Sequence, residues 1–285
     1  MAFFPAEIIV DKAGQTCNRF WSYLDSAAKA VVSGKKLWIL FWDKDIRYYD
    51  ALRKSGIVSF PLYNPKLASL FPNTYLRLIT YIFGNRPLVH LYSRLGEKHG
   101  FVSGWKRRND TKFYPSVIQE MRRLFKPNEN IVQEVDNVLG RYRDDGFFII
   151  GVHIRAGDYR SWEGGKYYFN TEEYTGFMIQ LASLYRDRKV CFFISSNEEY
   201  DRRLFDGMNL VDAKFPTSAH DLYALSLCDR IIGPLSTFSR WASLYGSVPL
   251  CFIEKGKVIS ECDFSVIESF YRFRNGKEII NLSDK

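Results

Sequence analysis

The 285-residue sequence has no Cys-x-x-Cys pair, no low-complexity tract, no repeat of fixed period and no apolar run near the roughly 20 residues of a membrane span. Each absence removes a class of protein. Five cysteines (Cys17, Cys191, Cys228, Cys251, Cys262) are scattered through apolar surroundings, odd in number and without a close histidine. A zinc site is therefore not expected, and buried, reduced thiols are. There is no Walker or dinucleotide glycine fingerprint, no nucleophile elbow and no Ser-His-Asp order, so P-loop and serine-hydrolase chemistry are not expected. The start, MAFFPAEIIV, lacks a basic residue and reaches Asp11 too early for a signal peptide. These absences predict a soluble, cytoplasmic protein.

What is present points to a large globular chain. Hydrophobic residues make up 46% and aromatics 16%, with 23 Phe and 18 Tyr, enough for a full core in one or two domains. Forty Lys and Arg against thirty-two Asp and Glu give a formal charge of +8. That balance favours an anionic partner without choosing among nucleic acid, a membrane surface and a phosphorylated small molecule.

Along the chain, EIIV (residues 7–10) reads as a strand, the pattern from Asn18 to Val31 as a helix ended by Gly34, and KKLWILFW (35–42) as a second strand. From about Asp50 to Arg143 the pattern is mixed, basic and made of short helical segments such as SVIQEMRRLF (116–125). RYRDDG (141–146) then reads as a domain boundary, giving domains 1–145 and 146–285. Beyond it the alternation is regular: strands at 147–154, 190–195, 230–233 and about 249–254, with helices from about Thr171, at 220–228 and from about Thr237, and a short one in NEEYDRRLF. Repeated strand and helix predict an α/β fold with an open parallel sheet, in which ligands sit at the carboxyl ends of strands.

Three of those strand ends carry polar residues where an apolar strand should simply stop. FFIIGVHIRAGDYR places His153, Arg155 and Asp158 at the first. Arginine presents a fork of donors that matches phosphate oxygens and stays charged at every physiological pH. A simpler reading pairs Arg155 with Asp158. FFISSNEE ends the second strand in Ser195, Ser196 and Asn197, residues able to read a base or ribose, or to cap a following helix. At the third, Gly233 and Pro234 turn the chain and Ser236, Thr237 and Phe238 open a helix, a ready anion site or a plain N-cap. In TSAHD (217–221), Ser218 and Asp221 have capping-box spacing. The basic, aromatic stretch Trp105–Arg108 is compatible with nucleic acid or an anionic membrane surface, and equally with a solvated face. No RNA- or DNA-binding pattern accompanies it, so nucleic acid is not expected.

Taken in order, these pieces resemble the α-1,2-fucosyltransferases of glycosyltransferase family 11 and the related α-1,6- and protein O-fucosyltransferases. GVHIRAGDYR is similar to their His-x-Arg-x-x-Asp segment, and HDLYALSLCDRIIGPLSTFSRWASLYG to their Asp-Leu helix, strand and Ser-Phe-Ser-Trp helix start. AGQTCNRFWSYLDSAAKA is similar to their N-terminal Gly-rich loop and helix. The resemblance implies a GT-B-like fold, two Rossmann-type domains facing a cleft, with a last helix packing back on the first. It implies an inverting glycosyltransferase that moves fucose from GDP-fucose to a glycan acceptor, with no cofactor and no metal, in polysaccharide or glycan biosynthesis. Carried over by position, Arg155 holds the diphosphate, and Ser236, Thr237 and Phe238 hold phosphate at the helix start. His153, Asp158 and Ser195, Ser196 and Asn197 help place the nucleotide, while Asn18 faces donor and acceptor. Asp11 is the carboxylate best placed to be the base.

The sequence also departs from that pattern. Thr16 and Cys17 stand where a second loop glycine is usual, Arg19 where Gln is, Ala156 where a second arginine is, and Arg240 where Trp often is. Another nucleotide sugar, or a non-catalytic nucleotide-binding relative, stays open beside fucose transfer. Asp43 and Asp45 match the Asp-x-Asp metal motif of a different glycosyltransferase architecture, but no second carboxylate cluster supports metal binding there.

Overall fold

The computed structural model describes residues 5–279, without the side chains of residues 72, 86, 93 and 97. It divides into two compact units, residues 1–128 and 129–285. Each has its own parallel sheet.

In the first unit β1 (Glu7–Ile9) leads through α1 (Thr16–Ser33) to β2 (Leu37–Ile39), then past the one-turn helix α2 (Asp50–Arg53) to β3 (Val58–Ser59). Helices α3 (Pro65–Leu70), α4 (Pro72–Phe83) and α5 (Arg86–Leu95) precede β4 (Phe101–Val102), and α6 (Ile118–Leu124) follows. The strand order is β3-β2-β1-β4, all parallel, the nucleotide-fold order in which the chain reverses direction across β1. Helix α1 stops at Gly34, whose φ of 66° is the left-handed conformation that only glycine adopts cheaply. Phe20, Leu24, Ala27 and Ala28 are buried as the spacing predicts, but so is every other residue from Phe20 to Ala28, so the helix is covered all round there. Phe20 meets Tyr49 and Phe125 edge-on at 4.8 and 5.1 Å, which anchors α1 to the connecting segments.

The second unit begins with α7 (Glu129–Asp144) and continues β5 (Phe147–Ile154), α8 (Thr171–Leu184), β6 (Lys189–Ser196), α9 (Ser218–Leu225), β7 (Arg230–Gly233), α10 (Thr237–Gly246) and β8 (Leu250–Phe252). A hairpin, β9 (Ile267–Ser269) and β10 (Arg272–Phe273), follows. The sheet order is β6-β5-β7-β8, again all parallel. Strand β5 is central and buried along seven of its eight residues, which is why it reads as an unbroken apolar run. Gly151 sits where a Cβ would lie 2.6 Å from Leu225, so its lack of a side chain lets α9 approach the sheet. Helix α8 starts at a capping box formed by Asn170 and Glu173.

Three expectations change. RYRDDG is not a linker: it begins in the last turn of α7, and α7 packs on β5 and α9. The division between units therefore falls at residues 128/129 instead of 145/146. NEEYDRRLF yields only a 3₁₀ turn, Arg202–Phe205, capped by Asp201. No α-helix follows α10 among the described residues, where a 3₁₀ turn and the hairpin take the place of the expected last helix; residues 280–285 lie outside the described residues. No helix among the described residues is long and apolar enough to cross a membrane. Cys17, Cys191, Cys228 and Cys251 are buried and none is disulfide-bonded; burial pushes the Cys191 and Cys251 thiols up to about 12, so they serve as core side chains.

Candidate active site

In open α/β sheets the crevice forms where successive connections leave a strand in opposite directions. In the second unit β5 leads through α8 to β6 on one side, and the chain then crosses back through α9 to β7 on the other. The carboxyl ends of β5 and β7 are that point. The residues singled out at those strand ends meet there.

Arg155 leaves β5 with its guanidinium over the Tyr159 ring, 5.3 Å from the centroid, and donates to Asp158 at 2.7 Å. The pairing of Arg155 with Asp158 in the simpler reading is thus present. Asp158 remains two-thirds exposed, and an exposed ion pair is worth at most about 1 kcal/mol, so a phosphate can replace it. Gly157 turns the chain at a φ of 56° directly after Ala156. A Cβ there would also crowd the Asn197 amide at 3.1 Å.

Hydrogen bonds tie the three strand ends together. The Ala156 N–H donates to Asn197 Oδ1 at 2.8 Å, linking the β5 and β6 ends. The Tyr159 hydroxyl donates to the Leu235 carbonyl at 2.7 Å, linking the β5 and β7 ends. The Tyr174 hydroxyl, from α8, donates to the His153 carbonyl at 3.2 Å and accepts from the Arg155 N–H at 3.4 Å. The loop that aims Arg155 is fixed by two tyrosines and an asparagine. Neither tyrosine was singled out from sequence, where Tyr174 falls at the helical spacing of α8 with its apolar residues.

His153 is buried, with its ring 5.0 Å from Phe238. Burial, reinforced by the Arg155 charge, pushes the imidazole down to about 3. It is neutral at working pH, and its Nδ1 has no hydrogen-bond partner among the described residues. Gly233 passes so close that a Cβ would lie 2.9 Å from the His153 carbonyl, which explains a glycine at the end of β7. Ser236 is the N-cap of α10, its Oγ accepting from the Phe238 N–H at 3.2 Å. Thr237 and Phe238 open the helix, whose N-terminal end is electropositive.

At the end of β6, Ser195 Oγ donates to Asp221 at 3.0 Å, and burial raises this carboxyl to about 7 against the ordinary 3.8. Asp221 is not part of a capping box. The N-cap of α9 is Thr217, whose hydroxyl bonds His220 Nδ1 at 2.7 Å, and His220 Nε2 lies 3.1 Å from Glu134. The sequence signal was an acid in the first turn of a helix, where capping is the ordinary use; only the sheet register, which pairs His153 with Ser195, reveals the other. Ser196 Oγ turns to the Glu198 carbonyl at 2.7 Å, and Glu198 forks with Arg160 at 2.8 and 2.7 Å.

The remaining candidates lie in the first unit. Asp11, just past β1, accepts from Ser103 Oγ at 2.6 Å and from the Trp105 N–H at 2.8 Å. Asn18, in the first turn of α1, packs against Gly14, and its carbonyl accepts from Ser22 at 3.0 Å. Asp43 caps a 3₁₀ turn by accepting from the Asp45 N–H, and both carboxylates receive the Thr16 hydroxyl, at 3.1 and 3.3 Å. Two of the three cations of the Trp105–Arg108 stretch are engaged, Arg107 with Glu7 at 3.2 Å and Arg108 on the Trp105 ring at 4.5 Å, while Lys106 is exposed.

No protein-family model matches the chain. It is a distant homologue of proteins named galactoside alpha-(1,2)-fucosyltransferase 1: 25% identical over 252 residues to that of Plecturocebus brunneus and 23% over 248 residues to that of Homo sapiens, covering 81% of this chain in each case. The chain spans 63% of the length of those relatives. Among solved structures it resembles the fucosyltransferase NodZ from Bradyrhizobium, with a TM-score of 0.50, 18% identity and coverage of 89% of this chain and 96% of that one. It also resembles POFUT1 in complex with GDP-fucose, with a TM-score of 0.52, 11% identity and coverage of 88% and 99%. The fold is the GT-B-like α/β fold of the fucosyltransferases.

Proposed function

We propose that the chain is an inverting, metal-independent glycosyltransferase that moves fucose from GDP-fucose to a hydroxyl of a glycan acceptor, in glycan or polysaccharide synthesis. The observation that carries this is Arg155 at the sheet's reversal point, aimed by Tyr159 and paired with an exposed carboxylate. The homology to α-1,2-fucosyltransferases, and a similar fold solved in complex with GDP-fucose, support this donor.

In this reading the diphosphate takes the place of Asp158 on the Arg155 guanidinium and lies at the N-terminus of α10, with Ser236, Thr237 and Phe238. His153, Ser195, Ser196 and Asn197 help place the nucleoside. The acceptor oxygen attacks the anomeric carbon from the side opposite the phosphate. The carbon–oxygen bond to the β-phosphate breaks, its electron pair stays on the departing diphosphate, and the sugar configuration inverts. Negative charge grows on the leaving group as this happens. Arg155 and the helix dipole meet that charge with donors already in place, a contribution of about 3–4 kcal/mol for a well-aimed donor. Neutral His153 can donate or accept one hydrogen bond but supplies no charge. Asp11 is the base proposed to take the acceptor proton, with Asn18 orienting the sugars. A chelator should leave the rate unchanged.

The test is calorimetric binding of GDP, UDP and ADP to the native chain and to Arg155→Ala, followed by a transfer assay with GDP-fucose. A GDP preference that weakens at least tenfold in Arg155→Ala is expected. Tighter UDP than GDP binding would discard fucose, and no nucleotide binding would discard the transferase.

A further inference from the structure

We infer that helices α3 to α5 form a surface that docks on an anionic phospholipid membrane. Large apolar side chains left exposed are concentrated there: eight of the thirteen among the described residues fall between Leu67 and Leu91. Leu70 is 70% exposed, Phe71 59%, Leu78 51% and Tyr81 80%. Exposed large apolar side chains gathered in one stretch of the chain mark a surface that something covers.

The helical spacing shows that the exposure is not an accident of loose packing. In α4 the inner face is held by Ile79, which is buried, and by Tyr75, whose hydroxyl donates to the Leu62 carbonyl at 2.6 Å and whose ring lies 6.2 Å from Trp42. Leu78, Tyr81 and Ile82 are three and four residues apart, so they share one face. They extend the apolar stripe past the part that the fold buries. Such a stripe is wider than this unit needs and matches a helix lying in the plane of a bilayer interface.

Charge selects the occupant. From Ala51 to Gly96 there is no Asp or Glu and there are six Lys or Arg. Lys66, Arg77 and Arg94 are exposed, whereas most of the chain's charge is mixed in sign. An acid-free apolar face rimmed by cations is complementary to anionic headgroups, each basic residue near the surface adding to the attraction. A second copy of the chain would bring the same positive charge to the same face, which disfavours a self-interface. The basic stretch at Trp105–Arg108 is not this surface, because both of its arginines are engaged within the fold.

The experiment is co-sedimentation of the full chain with phosphatidylcholine vesicles, with and without about one-third phosphatidylglycerol. The native chain, Leu78→Glu/Ile82→Glu and Arg77→Glu/Arg94→Glu are compared, and melting and GDP binding confirm that each variant is folded. Binding to the anionic vesicles at least tenfold above that to neutral ones is expected, with loss of most of it in either variant. Equal binding to both vesicle types, or binding untouched by both variants, overturns the proposal. So does a dimer that forms without lipid and dissolves in Leu78→Glu/Ile82→Glu, because it would assign the face to a second copy.

Discussion

The two units build the same kind of sheet and use its reversal point in opposite ways. In the first unit, β1 and β4 flank that point and Asp11 closes it, one carboxylate oxygen taking the Ser103 hydroxyl and the other the Trp105 N–H. In the second, β5 and β7 flank it and the group provided is a cation, Arg155, held by an aromatic face and one exposed carboxylate. The same topology can be fastened by local hydrogen bonds or left with a charge that an incoming anion can take over. What decides is whether the polar residue at the strand end finds both its partners within the fold.

The sharpest way to break this contrast is Arg155→Ala. If Arg155 is there for an anion and not for the fold, kcat/KM with GDP-fucose should fall by ~10²–10³, while the melting temperature stays within about 2 °C, the shift of a small surface change. A large drop in melting temperature with near-normal transfer would make Arg155 a residue of the fold and not of the reaction.

How much of this was legible follows from the same contrast. Strand β5 and the polar residues after it were visible because a run buried on both faces leaves a signature that ends abruptly at the site. Helix α1 and Gly34 were visible because amphipathic spacing and a left-handed stop are local. The bracket of Asp11 was not, since Ser103 and Trp105 are more than ninety residues away. Asp221 was misread for a related reason. Three-residue spacing from Ser218 suits a capping box, but its partner is Ser195 on another strand. The boundary was misplaced because the polar end of α7 resembles a linker until its apolar face is seen packed on β5.

Asp221 gives a second test, smaller and read in pH. Burial raises its carboxyl to about 7 in the folded chain against an ordinary 3.8. The folded state therefore holds a proton that the unfolded chain releases first. Stability from this group is complete below about pH 4 and is lost as pH rises through about 7. Asp221→Asn, which cannot ionise, should remove that part of the slope, so that the variant gains on the native chain between about pH 4 and about 7. In the first unit, burial and the neighbouring Asp110 and Glu7 carboxylates raise Asp25 to about 6, and Asp25→Asn should flatten a lower window, ending near pH 6. Melting curves of both variants across pH separate the units. Parallel slopes in native and Asp221→Asn chains would mean that Asp221 is ionised and solvated.

The smallest effect distinguishes the two uses of Asp11. Ser103→Ala removes one hydrogen bond of the bracket and leaves the carboxylate in place. A cost of about 1 kcal/mol is expected, with transfer unchanged to within twofold. Asp11→Asn keeps an acceptor for one donor and loses the charge, so it should cost a little more stability. If Asp11 also takes the acceptor's proton, Asp11→Asn should abolish turnover while Ser103→Ala does not, and GDP binding should be untouched in both. Equal, small losses of rate in the two variants would leave Asp11 as a bracket alone. The first unit's reversal point would then be purely structural, and the departing diphosphate would be the group left to accept the proton.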